Sequence, residues 1–549
     1  MRPLLALTLL AAALLAGCAT PRPTEPVQVK ILAINDFHGN LKPPLGGIRI
    51  KDPADPTKTV NVPAGGAEHL ATAVAEMLAK NPNHIFVAAG DLIGATPLLS
   101  ALFRDEPTVE ALSTMGLEVT SVGNHEFDKG ATELLRMQNG GCNATDGCKG
   151  PQPFKGAGYR YLAASTVVEA TGKTLFPPYY VKRFQGIPVA FIGLTLRETP
   201  TIVVPAGVAG LKFMDEAETV NALVPELKKQ GIEAIVVLIH EGGVPVGDYN
   251  ECPGISGPIV DIVKKLDKAV DLVVSGHTHR AYNCRIDGRL VTSGDKYGTI
   301  VTQIDLTLDP RTGDVTNTAA ENVIVRTDRF AKNAIQTELL AAYEKLAVPL
   351  AKRVVGRIGG ALSRDPNPAG ENPIGQVIAD AQLAATQDAG AQMALMNPGG
   401  IRAALGLPAD GQVRYEDLFS VQPFYNNLVT MTLTGAQLVE VLEQQWLNQP
   451  SARIMQVSRG FTYTWDAGKP VGQRVVADSL RLNGQPVSAA TRVRVTVNAF
   501  MAGGGDNFLA LKRGADTRTG MMDVDALELF VKNNPSIAPG TLDRITRLN

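Results

Sequence analysis

From Val29 onwards the chain alternates short, continuous apolar runs with polar stretches of helical period. Ile31-Leu32-Ala33-Ile34, Ile85-Phe86-Val87-Ala88-Ala89, Val119-Thr120-Ser121-Val122, Ala234-Ile235-Val236-Val237-Leu238-Ile239 and Asp271-Leu272-Val273-Val274-Ser275 read as strands. Residues 67–80, 220–229 and 257–268 between them read as helices. That alternation predicts an α/β layered domain over 29–328. Residues 329–352 carry apolar positions at helical spacing (Ala331, Ile335, Leu339, Ala342, Leu346) among many charges, which predicts a connecting helix. A second α/β unit is expected over 353–549, with helices near 374–385 and 434–447 and strands near 429–433 and 493–498.

The polar residues that close these apolar runs are not ordinary turn residues. Five of the seven histidines lie there. Asn35-Asp36-Phe37-His38 follows the first run, and Asp91 closes the second. Asn124-His125-Glu126-Phe127-Asp128 follows the third, His240 ends the fourth, and Gly276-His277-Thr278-His279 follows the fifth. Strand carboxyl ends in open α/β sheets open onto one crevice, where ligands collect. In the pairs Asp36/His38 and His277/His279, extended residues two apart point the same way, so each pair can face one site.

Only nitrogen and oxygen ligands are on offer, which predicts a two-metal hydrolytic centre. The carboxylate of Asp91 can bridge two cations, Asn124 offers a neutral carbonyl oxygen, and His38, His240, His277 and His279 complete the shell. Two divalent ions about 3.5–4 Å apart would clamp a phosphate and activate water. His125 is then left as an acid or charge stabiliser, with Asp128 fixing its tautomer. A lone histidine is more often filler than ligand, and His69 and His84 are read so. Five such motifs in one order are not filler.

Composition narrows the partners. With 549 residues the chain exceeds one ordinary core, and 52 basic against 54 acidic residues leave no footprint for a nucleic acid polymer. Arg2 and the apolar stretch 4–16 form an export signal, too short to span a bilayer comfortably. It ends in Leu15-Ala16-Gly17-Cys18, a lipobox pattern. This predicts a signal peptide over 1–17, lipidation at Cys18 and a tether over 18–28. Contact with the membrane, facing the periplasm or cell surface, would be through that anchor only. Four other cysteines in an exported chain imply disulfides. Cys142 and Cys148 bracket a glycine-rich loop and form the natural local pair, which leaves Cys252 with Cys284.

The motifs Asp36-x-His38, Gly90-Asp91, Gly123-Asn124-His125-Glu126, His240 and Gly276-His277-Thr278-His279 resemble the calcineurin-like metallophosphoesterase signature. The second half resembles the C-terminal domain of secreted 5′-nucleotidases and UDP-sugar hydrolases. The resemblance implies a four-layer α/β/β/α sandwich joined by a helix to a second α/β domain that swings between open and closed positions. It implies Asp36, His38, Asp91 and His279 around one metal, and Asp91, Asn124, His240 and His277 around the other, with His125 and Asp128 as the catalytic dyad. Zn, Mn, Fe and Co all suit this donor set.

In the second half, Asn397-Pro398-Gly399-Gly400-Ile401-Arg402 resembles the glycine-rich turn whose arginine meets the substrate. Phe424, near Asn426, and Phe500 match the aromatic walls of a nucleobase slot, and Asp506 matches a nucleoside contact. Arg364 stands for the arginine cluster expected before Gly375. The implied activity is 5′-nucleotide hydrolysis by a monomer, with UDP-sugars or NAD as further substrates. The competing readings are a 2′,3′-cyclic-nucleotide phosphodiesterase with 3′-nucleotidase activity and a non-catalytic nucleotide-binding lipoprotein.

Overall fold

The computed structural model describes residues 23–145, 147–449 and 451–549. The expected signal peptide and Cys18 lie outside the described residues.

The first half is built on two six-stranded sheets. One runs in the order Val315–Ile324, Ile300–Leu308, Val27–Ile34, His84–Ala88, Val119–Ser121, Arg160–Leu162. The other runs Ala281–Ile286, Arg289–Gly294, Leu272–Ser275, Ala234–His240, Ile187–Thr195, Tyr179–Phe184. Because successive strand residues point to opposite faces, each apolar run supplies two cores. Ile31, Ala33, Ile85 and Val87 pack inward against Phe191, Val236, Leu238 and Val274 of the facing sheet. Leu32, Ile34, Phe86 and Ala88 pack outward against Leu70, Val74, Val109 and Leu112 of helices Ala67–Leu78 and Glu106–Thr114. On the far side, Ile235, Val237 and Ile239 meet Val220, Val224, Ile259 and Val263 of helices Glu216–Lys229 and Pro258–Lys265. The result is the α/β/β/α sandwich.

Register sets up the site. Ile34 pairs with Ala88 and Ala88 with Thr120 in parallel, so the turns after three strands emerge side by side. In the second sheet, Ile239 pairs with Ser275, which puts Gly276–His279 next to His240.

Helix ends depart from the periodic pattern where a side chain captures a terminal N–H. Glu216–Lys229 starts before 220 because the Asp215 carboxylate accepts from the Glu218 N–H. The connecting helix is Ala334–Ala351 and starts later than 329, because the Asn333 side chain accepts from the Gln336 N–H. Residues before it form a turn, closed by Phe330 N–H on Arg326 O. The Phe330 carbonyl pairs with His69 Nδ1 at 2.6 Å. His84 Nδ1 likewise meets Asn81 O at 2.6 Å, so each of these two histidines has a backbone carbonyl partner away from the strand-end cluster. The disulfides are Cys142–Cys148 and Cys252–Cys284. The second ties the loop after His240 to the strand after His279.

The second half holds a five-stranded sheet in the order Gln456–Val457, Met393–Met396, Arg492–Asn498, Asn427–Thr434, Ala515–Met522. Helix Pro373–Ala385 is capped by Asn372, and helix Gly435–Glu443 by Thr434 in a reciprocal box with Gln437. The connecting helix lies on the first half, with Tyr343 edge-on to Phe103 at 4.9 Å and its hydroxyl donating to Glu110 at 3.0 Å. Its last residue, Ala351, joins the core of the second half, and so does Leu98 from the first half, packed in one cluster with Leu418 and Phe419.

Leu98 is thus an apolar peg between the halves, and burying such a side chain stabilises by about 1.5–3 kcal/mol. Leu98→Asp should loosen that docking without unfolding either half, since the residue sits on a four-residue helix, Leu98–Ala101. A larger radius of gyration in small-angle scattering is expected; a profile identical to wild type would show that the peg does not hold the halves together.

Candidate active site

Seven side chains from five strand ends converge between the two sheets. Asp36, His38, Asp91, Asn124 and His240 are at most 2% exposed. Within one ligand-atom span lie Asp36, His38 and His279 as one group, and Asp91, His240 and His277 as another. The approach demands unusual backbone. Asp36, His38, Asp91, His277 and His279 all have positive φ, between 44° and 70°. Non-glycine residues avoid this region, and such strain gathers at functional sites. Gly123 is required by contact: a Cβ there would collide with Asp91 Oδ1.

The direction of the lone pairs fits a cation. His38 Nδ1 lies 2.8 Å from Gly94 O, and His240 Nδ1 lies 2.7 Å from Ala89 O. A carbonyl only accepts, so each Nδ1 carries a proton, and in the neutral ring each Nε2 is left to present a lone pair. His38 Nε2 then faces His279 Nε2 at 3.1 Å, and His240 Nε2 faces Asp91 Oδ2 at 2.9 Å without hydrogen-bond geometry. His277 Nδ1 and Asn124 Oδ1 meet at 3.1 Å, while His279 Nε2 lies 3.3 Å from Asp36 Oδ1. Imidazole nitrogens, carboxylate oxygens and an amide oxygen gathered this closely in a buried space can serve as a donor set for metal ions. Asp91 Oδ2 also lies 3.6 Å from His38 Nε2, so this carboxylate reaches both groups.

Electrostatics agree. Burial, aided by the positive charge of His240, pushes His277 down to about 3. Burial likewise holds His38 and His279 well below the usual imidazole range, with Arg402 adding to the effect on His279. Neutral imidazole is the form that ligates. For His240 burial also pulls downward, but the Asp91 carboxylate outweighs it and lifts the ring to about 10. That nitrogen faces concentrated negative charge. His125 is raised as well: burial opposes, and the carboxylates of Asp128 and Asp91 prevail. Its Nδ1 sits 2.8 Å from Asp128 Oδ2, its ring is 5.1 Å from that of His38, and its N–H donates to Asp91 Oδ1 at 2.9 Å.

Three residues that sequence reasoning passed over hold this arrangement. Glu126 accepts from the N–H groups of Asp91 (2.9 Å), Leu92 (2.8 Å) and Gly123 (2.6 Å), tying two of the strand ends together. Its place inside the Asn124–Asp128 motif was the available signal. Asn35 donates to Asp36 Oδ2 at 2.7 Å and accepts from Gly294 N–H at 2.7 Å. Tyr297 stands edge-on to His38 and His279, with centroids at 6.0 and 5.8 Å, and nothing in the pattern marked it.

The second half reaches the same place. Phe424 lies nearly parallel to His125, with centroids 6.0 Å apart and planes 25° apart, and the Arg402 guanidinium sits 5.9 Å from the Phe424 ring centre. Arg402 Nε and Nη2 are buried without a hydrogen-bond partner. Arg364 is exposed and donates from Nη1 to the Arg402 carbonyl at 2.9 Å, so it braces that turn. Asn426 is half-buried, and its carbonyl accepts from Asp523 N–H at 2.8 Å. Phe500 lies over Gly505, where a Cβ would come within 2.5 Å of its Cζ. Asp506 is buried, with Oδ2 accepting from Asn397 at 2.7 Å and Oδ1 from Arg453 at 2.9 Å.

The carboxylate shared by both groups should be indispensable. Asp91→Ala is expected to lose tight binding of divalent metal at both positions, read by elemental analysis after gel filtration. A variant that still carries two ions per chain would overturn this donor assignment.

Residues 29–281 match the calcineurin-like phosphoesterase family, and residues 354–513 match the 5′-nucleotidase C-terminal domain. Endonuclease YhcR of Bacillus subtilis is 34% identical over 93% of this chain, and the chain spans 40% of that protein's length. Cell wall protein Lmo0130 of Listeria monocytogenes is 32% identical, over 90% of this chain and 66% of the relative. The crystal structure of a 5′-nucleotidase precursor from Thermus thermophilus is 26% identical, with a TM-score of 0.78 over 95% of this chain and 100% of that one. Two family matches in order along one chain, over the sandwich and then over the second α/β unit, place this chain in the 5′-nucleotidase family of calcineurin-like phosphoesterases.

Proposed function

We propose that this chain is an exported 5′-nucleotidase with two divalent metal ions, releasing phosphate and nucleoside from extracellular nucleotides. The observation that carries the reading is Arg402. A guanidinium with two buried, partnerless nitrogens is costly, since each unsatisfied buried donor costs about 1–3 kcal/mol. Its fork matches phosphate oxygens, and it stands beside Phe424 and the histidine cluster.

On this reading Asp36, His38, Asp91 and His279 hold one ion, and Asp91, Asn124, His240 and His277 hold the other. The ions, when bound, supply Lewis-acid charge for the phosphoester and activation of water. The protein's own groups do the rest. Arg402 orients the phosphate. Asp128 accepts from His125 Nδ1–H and thereby fixes the ring, so that Nε2 can deliver a proton to the leaving oxygen or stabilise charge there. Phe424 and Phe500 offer faces for a base, and stacking is worth about 1–3 kcal/mol per base with little preference among bases. Asp506 meets the sugar. The His125–Asp128 pair also weighs against a non-catalytic binder, which has no use for a fixed imidazole. Export, with the anchor at Cys18, is supported by the leader sequence and by the likeness to a cell wall protein.

A panel of AMP, UMP, UDP-glucose, NAD and 2′,3′-cyclic AMP with added divalent metal tests the reading. Phosphate release from the 5′-mononucleotides is expected; turnover of the cyclic nucleotide alone would overturn it. His125→Ala should keep its metals yet lower kcat by about 10²–10⁴-fold, and a wild-type kcat would remove its catalytic role. Phe424→Ala should raise KM for AMP while sparing a simple aryl phosphate. Equal damage to both substrates would mean that the ring only packs.

A further inference from the structure

Resting on the nucleotide reading above, we propose that Arg453 is a positioning residue that makes Asp506 competent to bind the sugar hydroxyls. Asp506 is 4% exposed and its backbone is left-handed, at φ 54°. A carboxylate so buried needs a compensating charge. Asn397 donates to Oδ2 at 2.7 Å but carries none. Arg453 is the one cation within ion-pair distance of Asp506 among the described residues, with Nη1 at 2.9 Å from Oδ1. The backbone of the same residue is held as well, by Gln449 Nε2 donating to Asp506 O at 2.6 Å.

The placement of this cluster ties it to the substrate. A Cβ on Gly399 would stand 3.3 Å from Asp506 Oδ2, 3.4 Å from Asn397 Nδ2 and 3.8 Å from Arg453 Nη1. The three polar atoms therefore share one face, kept open by a glycine three residues before Arg402. Phosphate-facing and sugar-facing groups flank a single turn. Two hydrogen bonds leave further acceptor capacity on the Asp506 carboxylate, enough for two hydroxyls. Without Arg453 the carboxylate would be a bare buried charge next to an anionic substrate, free to rotate.

The test compares Arg453→Ala, Arg453→Lys and wild type as full, metal-loaded chains. The substrates are AMP, 2′,3′-dideoxy-AMP and p-nitrophenyl phosphate. Arg453→Ala should raise KM for AMP about ten- to a hundredfold, the range for losing a hydrogen bond to a charged group, with kcat near wild type. KM for dideoxy-AMP and for the aryl phosphate should hardly move, because neither engages Asp506. Arg453→Lys should recover part of the loss, as it restores the charge but not the fork. If Arg453→Ala does not fold, Arg453→Gln and Arg453→Lys carry the same comparison. An unchanged KM for AMP, or an equal rise for AMP and its dideoxy analogue, would overturn the inference. Wild type that cleaves the aryl phosphate but no nucleotide would bring down the nucleotide reading, and this inference with it.

Discussion

Everything in the first half is arranged around buried carboxylates and imidazoles packed within a few ångströms of one another. Asp36 and Asp91 are buried carboxylates, and His38, His240 and His279 turn ring nitrogens toward them or toward each other. In a low-dielectric interior the two carboxylates repel, and an isolated buried carboxylate is expensive. The arrangement survives only if the scaffold cannot relax and a cation can resolve it. Two sheets packed face to face give that rigidity. Strand ends in register, Ile34 with Ala88 and Ile239 with Ser275, present the ligands from walls that cannot move apart singly.

The cost of this arrangement is visible in the backbone. Five of the ligand residues sit at positive φ, each worth on the order of 1–3 kcal/mol of strain. Buried hydrogen bonds offset that cost. Glu126 gathers four N–H groups from two turns, and Asn35 clamps Asp36 from one side and Gly294 from the other. Burial and the Asp91 charge push the Glu126 acid up to about 7, against the pull of its N–H donors. This carboxylate is an architectural part of the centre although it points at no ligand.

How much of this could be read from the chain follows from what each feature depends on. The strands and the donor residues were legible because period and strand-end position are local properties. Helix starts were less so, since Asn333 or Asp215 wins its N–H by geometry that hydrophobic period does not encode. Glu126 and Tyr297 escaped because their partners come from other strand ends. The second half was the hardest. Arg364 is read as a substrate arginine from the resemblance alone, and its place beside the Arg402 turn, with Nη1 on the Arg402 carbonyl, is set by a contact that no local pattern encodes. The Arg453–Asp506 pair joins residues 53 apart with no motif between them.

The division of labour between the halves has a physical consequence. On the proposed reading the metal ligands are all side chains of the first half, whereas Arg402, Phe424, Phe500 and Asp506 come from the second. The two meet where Phe424 lies against His125, and they are joined by Leu98 and the connecting helix. A change in the second half can therefore alter which substrate is held without disturbing the ligand field that both sheets stiffen. The Arg402 guanidinium, buried with partnerless nitrogens, makes that coupling directional. On the proposed reading an anion held between the halves would supply the missing partners. Binding a phosphate would thus relieve a cost built into the second half at the place where the first half can act on it.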